Sequence, residues 1–193
     1  MPGYILHLTA ARMYLDHLPS EDSLCCDLLP DSVREKSRSH FRDPAYRDRM
    51  IEWPHPERFR RKYCDLMSDA GCRGYWFHLY IDQRFFRDYI PRVAEFLDES
   101  GAVTDRRDET AYVLVKKSGE RITLSRYLSE EYYYGDYTRM NTWLAEKYHL
   151  PDTLETPENP GIAEVDYRDL EKVLEELRGY WGVPAEAADR LKV

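Results

Sequence analysis

The chain has 193 residues, of which 42% are hydrophobic and 33% charged, a balance that suits one globular domain with a proper core and excludes a disordered chain. A net charge of −8 has the wrong sign for a general nucleic-acid binder. No run approaches the roughly 18 apolar residues of a membrane span. The opening MPGYILHLTAARMYL has neither the basic region nor the cleavage site of a secretory signal. Cys25, Cys26, Cys64 and Cys72 form no C-x-x-C pair. Together these features lead to the expectation of a cytoplasmic protein with reduced cysteines.

In chain order, a first helix is predicted from about Tyr4 to His17, where Tyr4, Leu8, Ala11, Leu15 and Leu18 recur at helical spacing before Pro19. SEDSLCCDLLPDS reads as a short apolar turn of helix broken at Pro30, and REKSRSHFRDPAYRDRMIEWPHPERF as mostly loop. A long helical stretch is predicted from about Pro56 to Phe96, with room for a break at Gly71 and Gly74 and a stop or kink at Pro91. AYVLVKKSGERITLS predicts a small hairpin at about 111–125 around Ser118-Gly119. Helices follow from about Tyr137 to Tyr148 and from about Tyr167 to Tyr180, and a last one starts near Pro184. The fold class is all-α: a single helical-bundle domain over 1–193 with a small β-hairpin insertion.

Inside GCRGYWFHLYIDQRFFRDYIP, His78 and Asp82 lie four apart and so share one face of a helix that is apolar nearly all round. A buried carboxylate needs a partner. A divalent metal would serve; so would a simple His–Asp hydrogen bond in the core. Three further groups stand beside apolar residues. His7 edges the stripe of the first helix and reads equally as a core histidine. Asp31 follows Pro30 and reads equally as a helix cap. His40, in KSRSHF, reads equally as an exposed loop residue. Several segments each offering one ligand is how a helical bundle builds an internal metal site.

Taken in order, His7, then the Pro30-Asp31 step, then KSRSHF, then GYWFHLYID resemble the zinc-dependent phospholipase C family and its S1/P1-nuclease-like relatives, over roughly residues 1 to 90. The resemblance implies an all-helical fold, hydrolysis of phosphate esters, and His7, Asp31, His40, His78 and Asp82 as metal ligands. Asp136, in YYYGDYTRMN, is a further carboxylate candidate and reads equally as a helix cap. After Asp82 the only histidine is His149, so one or two divalent ions are expected. Zinc comes first among them, with Mn, Fe, Mg or Ni as alternatives.

A metal with an open position activates water and polarises a phosphoryl oxygen. Asp31 or Asp82 would then act as general base. Arg38 and Arg42, flanking His40, are candidates to hold a phosphate, against a bland reading as a solvated face. The run Tyr132 to Tyr134 would line a pocket, stack on a ring, or pack the hairpin. The function read from the sequence is a metal-dependent hydrolase of a small-molecule phosphate ester or lipid-like substrate. The alternative is a non-catalytic helical protein with a structural or vestigial metal site that binds a small ligand or protein partner. Helical HD-type hydrolases carry an adjacent His-Asp pair, and none occurs here.

Overall fold

The computed structural model describes residues 3–14, 20–150, 154, 158–165, 168 and 172. The described residues are mostly helical, with one small antiparallel sheet. The helices expected from Tyr167 and Pro184 lie outside them. No helix among them is long and apolar enough to cross a membrane.

Helix α1 (Tyr4–Tyr14) buries Leu8 and Ala11 as its spacing predicts and Ile5 besides, while Tyr4 is half-buried; Leu15, His17 and Leu18 of the expected helix lie outside the described residues. Helix α2 (Glu21–Ser32) is capped by Ser20, whose side chain accepts from the Ser23 amide. It does not break at Pro30 but runs through it. Proline lacks the amide that would reach back to the Cys26 carbonyl. That loss falls in the last turn, and the chain turns extended at Val33. Asp31 therefore sits on a helix rather than beside one. The loop holds one short helix, α3 (Lys36–Ser39), immediately before His40.

The predicted long helix is several pieces. Helix α4 (Pro56–Lys62) has its proline in the first turn, where no amide is needed. A 3₁₀ turn at Cys64–Leu66 leads to α5 (Ala70–Arg84), capped by Asp69 accepting from the Cys72 amide. A wide turn over Phe85–Tyr89 leads into α6 (Ile90–Val93). The stretch ends as strand β1 (Ala94–Leu97), because its backbone pairs with Tyr112–Val115. A partner some twenty residues away is invisible to a local helical window.

Strands β2 (Tyr112–Val115) and β3 (Glu120–Thr123) form the expected hairpin, so the insertion is a three-stranded sheet in the order β1-β2-β3. Gly119 closes the hairpin turn at φ +72°, where a side chain would be strained. Helix α7 (Leu124–Tyr127) follows, capped by Thr123. Helix α8 (Tyr133–Tyr148) starts four residues earlier than expected and stops where His149 turns left-handed, φ +46°.

Two cores result. One joins α1, α2, α4, α5 and α8 around Leu8, Leu28, Phe59 and Tyr75. The other joins the sheet to α6 and α7 around Ile90, Phe96, Val113 and Ile122. The contact that positions the site is α2 against α5. A Cβ on Gly74 would stand 2.1 Å from the Ser23 carbonyl oxygen, and one on Gly71 would stand 2.8 Å from Cys26 Sγ. Only glycine lets the two backbones come this close.

Candidate metal centre

The close crossing brings two i, i+4 pairs face to face: Asp27 and Asp31 on α2, and His78 and Asp82 on α5. His7 reaches in from α1 and His40 from the end of α3. All six side chains are buried, five of them completely and Asp31 at 8% exposure. The structure thus brings together His7, Asp31, His40, His78 and Asp82, the set named from sequence, and adds Asp27.

Two imidazoles are oriented by the main chain. His78 Nδ1 lies 2.6 Å from the Asp27 carbonyl oxygen. His40 Nδ1 lies 3.0 Å from the Lys36 carbonyl oxygen and 3.0 Å from Ser39 Oγ. Ser39 Oγ is itself committed to the Pro30 carbonyl at 2.8 Å. A carbonyl only accepts, so in the neutral rings each Nδ1 carries the proton and each Nε2 a lone pair. Yet the two Nε2 atoms face each other at 3.2 Å. Lone pairs so placed repel unless a cation or a proton stands between them.

The carboxylates converge on the same point. His40 Nε2 is 3.3 Å from Asp82 Oδ2 and 3.5 Å from Asp31 Oδ1. His78 Nε2 is 3.8 Å from Asp82 Oδ2 and 4.0 Å from Asp31 Oδ2. Ligands at about 2.0–2.1 Å around a tetrahedral zinc are spaced by about 3.3 Å, close to the shorter of these distances. A second grouping, His7, Asp27 and His78, has one donor atom from each residue within 4.8 Å of the others. His7 Nε2 lies 3.2 Å from Asp82 Oδ1, and its ring stacks on His78 at 3.7 Å. Asp82 thus turns one oxygen to His7 and the other to His40.

Proximity here is not hydrogen bonding. Both oxygens of Asp27, both of Asp82 and both ring nitrogens of His7 have no hydrogen-bond partner in a well-directed geometry. Buried groups in this state cost several kcal/mol each unless something satisfies them. Without an ion, protons partly fill the role. Burial pushes the Asp27 carboxyl up to about 7. For His7, burial favours the neutral ring but Asp82 outweighs it and raises the pKa; for His40, Asp31 and Asp82 do the same. His78 goes the other way, lowered by burial and by the neighbouring His7 to about 3, so it stays neutral. Burial opposes ionisation of Asp31 and Asp82, yet the surrounding histidines hold both below the ordinary carboxylate range.

Other sequence candidates fall elsewhere. Asp136 is not brought to the cluster: its side chain is 74% exposed in the first turn of α8, paired with Arg139 at 2.5 Å. Arg38 is exposed and donates to the Ala163 carbonyl at 3.4 Å. Arg42 lies 3.9 Å from Glu52 and borders a polar groove of about 810 Å³. Lys36, one of the positive groups flanking His40 in the sequence, donates to Asp31 Oδ1 at 2.9 Å and also to its carbonyl. Tyr137 was missed. Its buried hydroxyl has no well-directed partner, and burial, then Tyr133, Asp82 and Asp31, raise its pKa.

Asp27 escaped notice because Pro30 was read as ending the helix, which splits the Asp27–Asp31 pair. The signal was present: the spacing repeats that of His78–Asp82. None of the four cysteines is in a disulfide, and Cys25, Cys26 and Cys72 are buried.

No family model matches the chain, and no curated protein or solved structure matches it either.

Proposed function

We propose that the cluster is a divalent-metal centre of the hydrolytic kind and that the protein cleaves a phosphate ester. The observation that carries this reading is the surplus of orphaned buried donors. A closed structural zinc site uses four ligands, whereas six His and Asp side chains converge here. Asp82, with its two oxygens directed to different histidines, would serve both groups of ligands. One ion would be held by Asp31, His40 and His78, the other by His7 and Asp27. Zinc fits the mixed imidazole–carboxylate donors, and Mn, Fe, Mg or Ni remain alternatives. Paired ions supply activated water and a clamp on the phosphoryl oxygens. Asp31, the least buried of the six, or Asp82 would serve as general base toward a bound water.

One observation favours a second reading. Five cavities that open to the surface among the described residues are lined by residues outside the cluster, and a closed site is the mark of a structural metal. The deciding experiment measures metal per chain by elemental analysis and phosphatase and phosphodiesterase turnover on the same preparation, for wild type and His78→Ala/Asp82→Ala. Two equivalents with turnover, both lost in the variant, supports the hydrolase. One equivalent without turnover, together with a large loss of stability on chelation, supports the structural metal. No metal after incubation with zinc or manganese overturns both.

A further inference from the structure

The two groups of donors that could each hold an ion, Asp31–His40–His78 and His7–Asp27–His78, share His78. An imidazole whose Nδ1 donates to a carbonyl offers one lone pair, at Nε2, and so serves one ion. His78 is in that state, with Nδ1 2.6 Å from the Asp27 carbonyl oxygen. Its Nε2 lies 3.2 Å from His40 Nε2, which places it with the first group. The second group is left with His7, Asp27 and the Asp82 oxygen 3.2 Å from His7 Nε2.

The groups differ again in what holds them from behind. Besides His78, the ligands of the first both have outer partners. His40 Nδ1 faces the Lys36 carbonyl oxygen and Ser39 Oγ, each at 3.0 Å. Asp31 Oδ1 accepts from Lys36 Nζ at 2.9 Å. Lys36 thus grips two ligands at once, one with its side chain and the other with its main chain. In the second group, neither ring nitrogen of His7 and neither carboxylate oxygen of Asp27 has a well-directed partner among the described residues. Outer partners fix the tautomer and the aim of a ligand, and losing one costs about 10–100-fold in metal affinity.

We propose that the centre consists of two unequal metal sites filled in order: a tight one at Asp31, His40 and His78, and a weak, exchangeable one at His7 and Asp27. Lys36 is the positioning residue of the tight site. With one ligand fewer of its own and no outer partners, the second site should bind about 100-fold more weakly than the first. Hydrolysis that needs paired ions then follows the free metal concentration around the weaker Kd, so the supply of the second ion switches the enzyme. The inference rests on the reading of the cluster as a two-ion centre.

The test uses cobalt(II) as the probe, titrated into the full chain after chelator treatment and followed by calorimetry and by the visible absorption of bound cobalt. Two steps of one equivalent each are expected, with dissociation constants about 100-fold apart. Dialysis of the loaded protein against graded chelator should read the same order in reverse, one equivalent leaving first. Asp27→Asn keeps the size of the side chain and the carbonyl that holds His78; it should abolish the weak step and leave the tight one within about threefold. Lys36→Met should weaken the tight step about tenfold and leave the weak one unchanged. The Lys36 side chain is 28% exposed, so this variant should fold, as circular dichroism would verify. Two equal steps, a single step at every cobalt concentration, a weak step that survives Asp27→Asn, or a tight step indifferent to Lys36→Met each overturns the proposal while the metal centre stands. No bound cobalt overturns the metal centre and the proposal together.

Discussion

Around α2 and α5 the interior holds three imidazoles and three carboxylates. In the sheet half, by contrast, the buried residues are Ile90, Ala94, Phe96, Val113, Ile122 and Tyr127. The sheet core needs only to remove apolar surface from water, and Phe96, Val113 and Ile122, paired across the three strands, supply it from one face. The helical core is fuller of charge than its own packing can satisfy. Such an interior costs stability until a ligand completes it. The difference teaches where in this molecule structure was spent on something besides folding.

The sharpest way to break that comparison is to treat the protein with a chelator, on the reading that the cluster holds an ion. Chelation should lower the melting temperature by about 10 °C, on the scale of about 4 kcal/mol for a tightly bound ion. Hydrogen exchange should locate the loss in α2 and α5, with β1–β3 still protected. Uniform loss of protection would show that the two halves do not differ in this respect. Next in size is Gly74→Ala, which forces a Cβ to 2.1 Å from the Ser23 carbonyl and should cost about 3 kcal/mol in urea denaturation. Metal per chain should fall with it, since the crossing sets the ligand spacing.

A pH series sharpens the comparison further. In the ion-free protein His7, His40 and Asp27 all have raised pKa values, so the folded chain binds protons that the unfolded chain has released. Their contribution is present at low pH and is lost as pH rises through the folded values. His78, lowered to about 3, works in the opposite sense, but only below the unfolded imidazole value of about 6.5. Asp27 gives up its share between about pH 3.9 and about 7, so from about pH 6.5 upward it is through His7 and His40 that the chelated protein should lose stability, by up to about 1.4 kcal/mol per pH unit for each linked proton. The metal-loaded protein should not follow, because protons compete with the ion for the same atoms. The gap between the two melting temperatures should widen from pH 6.5 to 8.5; a constant gap would place these protons outside the ligand set. Smallest is Ile122→Val in the sheet core, which should cost about 1 kcal/mol and leave metal content unchanged.

What could be read from the sequence follows the same division. The apolar spacing of α1, the Ser118-Gly119 turn and the His78–Asp82 face are local patterns, and the structure carries all three. What escaped depends on partners far along the chain or on local rules that the surroundings override. Strand β1 exists because Val113 and Val115 lie opposite Phe96 and Ala94. Asp31 lies one turn from Asp27 because α2 continues through Pro30. Asp136 had an acidic side chain in a suggestive setting, but it lies on the solvent side of the first turn of α8, with Arg139 as its neighbour.

The glycine contact between α2 and α5 acts as a caliper. With Gly74 against the Ser23 main chain the jaws are already closed, and no rotamer change can bring them nearer there. The gap between the Asp27–Asp31 row and the His78–Asp82 row is therefore set before any ion arrives. An ion whose bonds ask for a different opening must be met by His7 and His40, the two arms that do not belong to the jaws.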